Sequence, residues 1–444
     1  MPEFPFAAQE GAAGVPQNNR ETLINMFAES GSGKAQIIRR QRPGVVRVQT
    51  IPGAKRGIIR FTHGHYFVVR EKLYRYADGA LTMLGALDTS TGQCTFITDD
   101  NSKVAVSDGV KLYHWDGAAL TEPVTPGEVG TLAFQGGFGI YSETGTGRLY
   151  VSGLNDLTTW DALDFATAEG NPDATVRVLV DHNELWFFGE RSTEVWRNSG
   201  NADFPFQPNT SMERGCIAPF SVAADDNTVF WLGDDGIVYR ADGYRPVRIS
   251  THAIEAQIAN VADQGAGEAL VYGYRGHKFY TLRFPGELTV QFNIATGLWN
   301  RAKTYGRDDF AIVGNAKATD FYLTDEGLVR LDASVNTDDG APMERVGISA
   351  PVHNGGDWFS VASIRIDAEA GRAATGQTEP VVSLEVSRDG ETFGAVRQRG
   401  LGTTGDFRRR VVWRGLGQFR SITARFTVTD DIDFTVLSVS GEAG

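Results

Sequence analysis

Between Tyr66 and Ser334 one pattern recurs: a run of alternating apolar and aromatic residues, a Gly/Asp/Asn turn, a second such run, then Asp-Gly or Asn with small residues. The plainest copies begin at Tyr66 (YFVVREKLYRYADGALTMLGAL), Lys103 (KVAVSDGVKLYHWDGAALTEP) and Thr228 (TVFWLGDDGIVYRADGYRPVRIS). Weaker ones begin at Phe138, Glu184, Lys278 and Asp320. The closing turns fall near Asp78, Asp116, Asn155, Asn198, Asp242, Asn293 and Asp332, at intervals of 38, 39, 43, 44, 51 and 39 residues. Period-two alternation broken by Asp-Gly is hairpin chemistry, because the turn needs residues that tolerate positive φ. A repeat of about 40–45 residues, read as four strands, points to a β-propeller blade.

Helical repeats are excluded by the lack of 3.6-residue periodicity in these Tyr/Phe/Val/Trp-rich runs. A pair of β-sandwiches is the rival architecture, and the ring is favoured because radial repetition leaves few exposed strand edges. Seven marks imply six or seven blades, since terminal strands can complete one blade jointly. The 52 glycines and 16 prolines fit a chain of tight turns rather than a disordered linker. The expected fold class is therefore all-β, a propeller over residues 51–340, preceded by an extended arm and interface segment at 1–50. From residue 341 to 444 the strands SVASIRIDAEA, VVSLEVSRDGETF, RRVVWRGLG, SITARFTVT and DFTVLSVSG lose the repeat and suggest a C-terminal β-sandwich. One helix is expected, Ile254 to Ala262, as an insertion in the longest interval.

No window approaches the 18 or more apolar residues of a spanning helix, and the start of the chain shows neither a basic nor an apolar signal region, so assembly in the cytoplasm is expected. Cys94 and Cys216 lack metal or disulfide spacing and read as small buried residues. Gly31-Ser32-Gly33-Lys34 has Ala28 and Ala35 where a phosphate-binding loop needs Gly and Ser/Thr, so it reads as a loop. His63 and His65 could share a strand face but have no neighbouring carboxylate or cysteine. Ser387-Arg388-Asp389-Gly390-Glu391-Thr392-Phe393 looks like the Asp-box turn of propeller sialidases, one residue short and ending in Phe, and it lies outside the repeat. Asp225/Asp226, Asp234/Asp235 and Asp430/Asp431 sit in polar turns, where solvated Asp is the default. Nothing here specifies a catalytic, metal or cofactor site, and no enzyme activity or small-molecule substrate is expected.

The net charge of −13 argues against a surface that grips nucleic acid throughout. One segment reverses that balance: Arg397, Arg399, Arg408, Arg409, Arg410, Arg414, Arg420 and Arg425 lie within 29 residues that hold a single acid, Asp406. These arginines are either solvated strand residues or a basic face for DNA phosphate or an acidic protein, to which guanidinium groups bind bidentately. Trp413 and Phe419 within the segment read as sandwich core.

The run from Arg408, RRRVVWRGLGQFRSITARFTVTDDIDFTVLSVSG, resembles the closing segment of the tail hub, or nozzle, proteins of short-tailed phages (podoviruses), the packaged-DNA stabilisation family. GERSTEVWRNSGNADFPFQP from Gly189, Glu213-Arg214-Gly215-Cys216-Ile217-Ala218, Asn25-Met26 and Arg42-Pro43-Gly44-Val45 are similar to segments of that family in order and spacing. The resemblance implies a structural virion tail protein: a hexameric ring below the portal and its adaptor protein. Such a ring retains packaged double-stranded DNA, conducts it without sequence specificity during ejection, and carries a tail needle or plug and tailspikes or fibres. The family supplies no catalytic residue. A propeller glycosidase and a cytosolic propeller scaffold are the alternatives.

Overall fold

The computed structural model describes residues 22–31, 37–99, 103–167, 173–201, 204–314, 319–373 and 378–443. Six consecutive segments each form a four-stranded antiparallel meander. Their innermost strands are Lys55–Phe61, Thr95–Thr98, Val129–Gln135, Thr175–Asp181, Ala223–Asp225 and Glu268–Tyr274. A seventh sheet is built from both halves of the chain. Val313 bridges to Leu323, Tyr322–Thr324 pairs with Gly327–Asp332, the fourth strand is Gly44–Thr50, and the short strands Thr337–Asp338 and Ala341–Pro342 extend the sheet beyond it.

Every mark read from the sequence stands at the end of a third strand, as with Asp78 after Lys72–Ala77, Asn293 closing Leu288–Asn293 and Asp332 closing Gly327–Asp332. The spacing was therefore one blade each time, and the described residues contain seven blades. Asp78 and Asn155 adopt φ of 50° and 54°, the left-handed conformation that Asp and Asn tolerate. The inserted helix is His252–Ala259, between blades five and six, with Thr251 capping it by accepting from the Ile254 amide.

Burial closes the circle. Tyr66, Val68 and Leu73 of blade one pack on Val104, Val106 and Tyr113 of blade two, and each following pair of blades shares a comparable apolar core. Leu270, Tyr272 and Phe279 of blade six meet Val45, Tyr322 and Val329 of blade seven. Ile51, Leu323 and Leu328 of blade seven then meet Ile58, Phe67 and Val69 of blade one. No blade could bury both its faces without two neighbours, so the ring is the condition for burial.

The C-terminal region is a sandwich around Trp413, Phe426, Phe434 and Ile364, and the N-terminal segment is woven into it. Thr22–Ile24 pairs in parallel with Leu298–Arg301 of blade six and antiparallel with Arg345–Ile348, the first strand of one sandwich sheet. Met26–Ser30 and Ile37–Gln41 form a hairpin that extends the other sheet through Thr435–Ala443. The expected extended arm is thus, over its described part, strands in three sheets, and Gly44–Thr50 belongs to the propeller although it precedes residue 51.

Asn25 turns the chain from one sandwich sheet to the other at φ 56°. Its side chain donates to the Glu344 carbonyl and accepts from Arg42 Nε and the Lys303 amide. Arg42, 1% exposed, makes a bidentate pair with Asp338, also donates to the carbonyls of Pro43 and Lys303, and lies 4.0 Å over the ring of Phe310. Beside it, the buried Arg345 donates to Gln41 Oε1 and to the carbonyls of Val428, Asp430 and Ile432. Gly44 follows because a Cβ there would stand 2.4 Å from the Val335 carbonyl oxygen.

Removing one partner of a buried pair strands the other charge. Asp338→Ala is expected to lower unfolding stability by about 3–5 kcal/mol, and the double change Arg42→Met with Asp338→Leu by clearly less, measured by chemical denaturation. A second expectation concerns acid. Asp309 is fully buried; burial alone would raise its pKa, but Arg307 at 2.7 Å and Arg283 at 2.8 Å hold it down at about 2. A lowered folded pKa stabilises above the unfolded value, about 3.9, and that contribution is lost as pH falls towards 2. Asp309→Asn should flatten the dependence of Tm on pH across that window.

Candidate functional site

Six of the eight arginines, from Arg397 to Arg414, lie on or beside the edge strands of the two sandwich sheets, while Arg420 follows one edge strand and Arg425 stands on the inner strand Ser421–Val428. Arg397–Gly400 is the last strand of one sheet and Val411–Phe419 of the other. They are tied across the gap: Trp413 Nε1 donates to the Arg397 carbonyl at 2.7 Å, and Arg399 Nε to the Val412 carbonyl at 3.1 Å. Trp413 is buried because strand alternation points it into the core, and the same alternation turns Arg410 and Arg414 outward.

The structure divides the cluster. Arg397 and Arg399 donate to backbone carbonyls at the edge, and Arg409 pairs with Glu379 at 3.1 Å and donates to the Gly400 carbonyl. Such contacts cover backbone groups that an edge strand would otherwise offer to another chain. Arg420 lies over Trp358, 5.3 Å from the ring centroid. Arg425 is half-buried, bidentate to Glu385 and 4.0 Å over Phe393, and so is committed to its own sheet. Arg408, Arg410 and Arg414 are exposed, and no ion pair or hydrogen bond joins them to another described residue. Phe407, 69% exposed, immediately precedes Arg408, and Val396 and Trp358 are also exposed near the cluster in sequence or space. Aromatic side chains and Arg are enriched at the cores of protein interfaces. Sequence reading assigned no role to Trp358 or Phe407, because an aromatic residue beside a strand is by default core.

The other candidates resolve into structural roles. In the Ser387–Phe393 turn, Asp389 accepts from the amides of Glu391 and Thr392 and from Ser387 Oγ, and these bonds hold its carboxyl well below the usual range. It is a turn organiser. Asp225 pairs with Lys278, Asp234 accepts from the Gly215 amide, Asp235 accepts from Tyr239 and pairs with Arg214, and Asp430 accepts from the Val381 amide. His63 is exposed in the turn after Lys55–Phe61, whereas His65 is buried edge-on to Phe321 with its pKa pushed down to about 4 by burial. Cys94 and Cys216 are buried free thiols. Ser32-Gly33-Lys34 lies outside the described residues. The segment from Gly189 forms the third and fourth strands of blade four, and Cys216 bridges to Gly233 as the chain enters blade five.

Residues 17–304 match the model of the bacteriophage P22 Gp10 β-propeller, and residues 344–442 match that of the bacteriophage P22 Gp10 β-sandwich. The chain belongs to the bacteriophage P22 Gp10 family. It is therefore a phage tail protein, a propeller joined to a sandwich, and the propeller match begins ahead of residue 51, in line with the contribution of Gly44–Thr50. No curated protein matches the chain. Among solved structures, the extracellular domain of the hybrid two-component system BT4673 from B. thetaiotaomicron aligns at 10% identity and a TM-score of 0.46, over 85% of this chain and 48% of that one. BamB from Moraxella catarrhalis aligns at 13% identity and 0.41, over 69% and 97%. PorZ of Porphyromonas gingivalis aligns at 12% identity and 0.37 over 71% of this chain, which spans less than half of PorZ, 44%.

If Arg408, Arg410 and Arg414 have no partner within the chain, changing all three to Glu should leave folding stability within about 0.5 kcal/mol per site. Arg425→Ala should cost about 1 kcal/mol or more, because it breaks a bidentate pair and a ring contact. Thermal melts of the purified variants measure both.

Proposed function

We propose that the chain is a hub subunit of a short-tailed phage tail, assembling into a ring, six copies by family resemblance, beneath the portal and its adaptor. The ring retains packaged DNA, conducts it on ejection, and carries needle and spike or fibre proteins. The observation that carries the reading is family membership across both propeller and sandwich. A second supports it: charge is segregated, with 38 Asp/Glu against 24 Lys/Arg over residues 51–340, while the sandwich edge presents arginines. The basic edge of one subunit meets an acidic surface of a neighbour or of the adaptor, and long-range attraction of this kind steers assembly.

The same segregation sets the path of DNA. The propeller's own axis is filled by inward side chains around a cavity of about 330 Å³, far too small for a duplex, so the conduit is the lumen of the assembled ring. An acidic lining there lets DNA slide rather than stick, because few counterions are released.

Co-expression with the cognate portal and adaptor, followed by native mass spectrometry and tail incorporation, tests the proposal. A closed ring is expected. The Arg408→Glu, Arg410→Glu, Arg414→Glu variant should fold normally but enter tails about tenfold less well, the consequence of about 1.4 kcal/mol lost at the interface. A monomer that binds neither component would overturn the hub reading; normal incorporation of the variant would remove the arginines from the interface.

A further inference from the structure

The axial cavity is lined by one segment from each of the seven blades, among them Ile58, Leu132, Leu179, Phe220 and Ile312. In this apolar chamber stands Arg177, from the innermost strand of blade four. Its Nε and Nη1 are buried and have no hydrogen-bond partner among the described residues, and its guanidinium carbon lies 5.2 Å from the centroid of Phe220. Burial pushes its pKa down to about 10, and the group acting against that is the thiol of Cys216, itself kept neutral by burial. The other charged residue of the lining, Glu268, is engaged elsewhere: Arg283 is 3.6 Å away, and burial raises its pKa against the effects of Arg283 and a hydrogen bond with Gln93.

A buried cation without a counter-charge is costly, and chains keep one where something pairs with it. The approach to the cavity carries two cations beside the carboxylate of Glu268. An outer pocket of about 390 Å³ shares Gln93, Phe220 and Glu268 with the axial cavity and is lined by Lys55 and Arg56. Arg56 is spent on the carbonyls of Arg70, Thr89 and Gly92 and the Thr89 hydroxyl, and Lys55 on the Ile51 carbonyl. Among the described residues no carboxylate bonds to either, although Asp325 and Glu326 act on Lys55 through space. A mouth with two cations and one carboxylate, Glu268, therefore opens on a mainly apolar chamber that holds a guanidinium with two unpartnered nitrogens.

We propose that the axial cavity of the propeller binds a carboxylate with an apolar body, which enters past Lys55 and Arg56 and pairs its head group with Arg177. Guanidinium suits this because its parallel N–H groups meet both carboxylate oxygens, and 330 Å³ is the size of a small-ligand pocket. The carboxylate is either a free medium-chain acid or the C-terminus of an apolar peptide segment.

The full chain titrated with hexanoate should give saturable heat and a rise in Tm of about 2 °C at saturating ligand. Hexan-1-ol, with the same tail and no charge, and sodium chloride at equal concentration should do neither. Arg177→Met should abolish the response, and Arg177→Lys should keep it with affinity reduced about tenfold. A peptide ending in Leu-Leu with a free carboxylate, compared with its amide, separates the sources: binding of the free acid form assigns the site to a chain terminus, and binding of hexanoate alone to a free acid. The proposal is overturned if neither probe binds the wild-type chain, if hexan-1-ol binds as well as hexanoate, or if Arg177→Met binds hexanoate undiminished. Should Arg177→Met not fold, the wild-type comparison of acid with alcohol still decides. Failure of this site leaves ring assembly untouched, and a monomeric chain that binds hexanoate leaves the site standing.

Discussion

The buried pair of Arg42 and Asp338, with Asn25 held against it, is the contact on which the rest of the chain depends. It joins a residue between the N-terminal hairpin and blade seven to one that follows the last propeller strand, and Asn25 marks the crossing between the two sheets of the sandwich. Both ends of the propeller and both sheets of the sandwich therefore meet at one guanidinium. Five polar acceptors and one aromatic face surround it, so its desolvation is offset only when every one of these segments is in place.

That arrangement makes the two domains one cooperative object. Blade seven lacks its fourth strand until Gly44–Thr50 arrives, and without blade seven the apolar faces of blades six and one lie open. The sandwich likewise takes Met26–Ser30 and Ile37–Gln41 from the far end of the sequence. A propeller closed by distant parts of the chain has no terminal blade that can peel away alone.

Much of this was legible beforehand because hairpins are local. Turn residues such as Asp78 and Asn155 declare themselves by the φ they must adopt, and unbroken apolar runs such as Tyr66–Val69 and Phe230–Leu232 mark strands that are buried between blades. The arginine cluster was equally visible as composition. Its division was not: Arg425 and Arg408 look alike in the sequence, and only the pairing of Ser421–Val428 with Val381–Ser387 brings Glu385 to one and leaves the other in solvent. Asn25 and Arg42 stood out only as family-like segments, since their partners lie roughly 300 residues on.

The sequence by itself determined the repeat, the all-β class, the change of character after residue 340 and the reversal of charge near the end, because each follows from neighbours within one hairpin. Tertiary structure alone decided the number of blades, the weaving of residues 22–50 through three sheets, and which arginines are free. It also decided that Arg177 lines the propeller axis with two nitrogens unpartnered among the described residues. These depend on which distant strands pair and which side chains lose water together, and no local pattern encodes either.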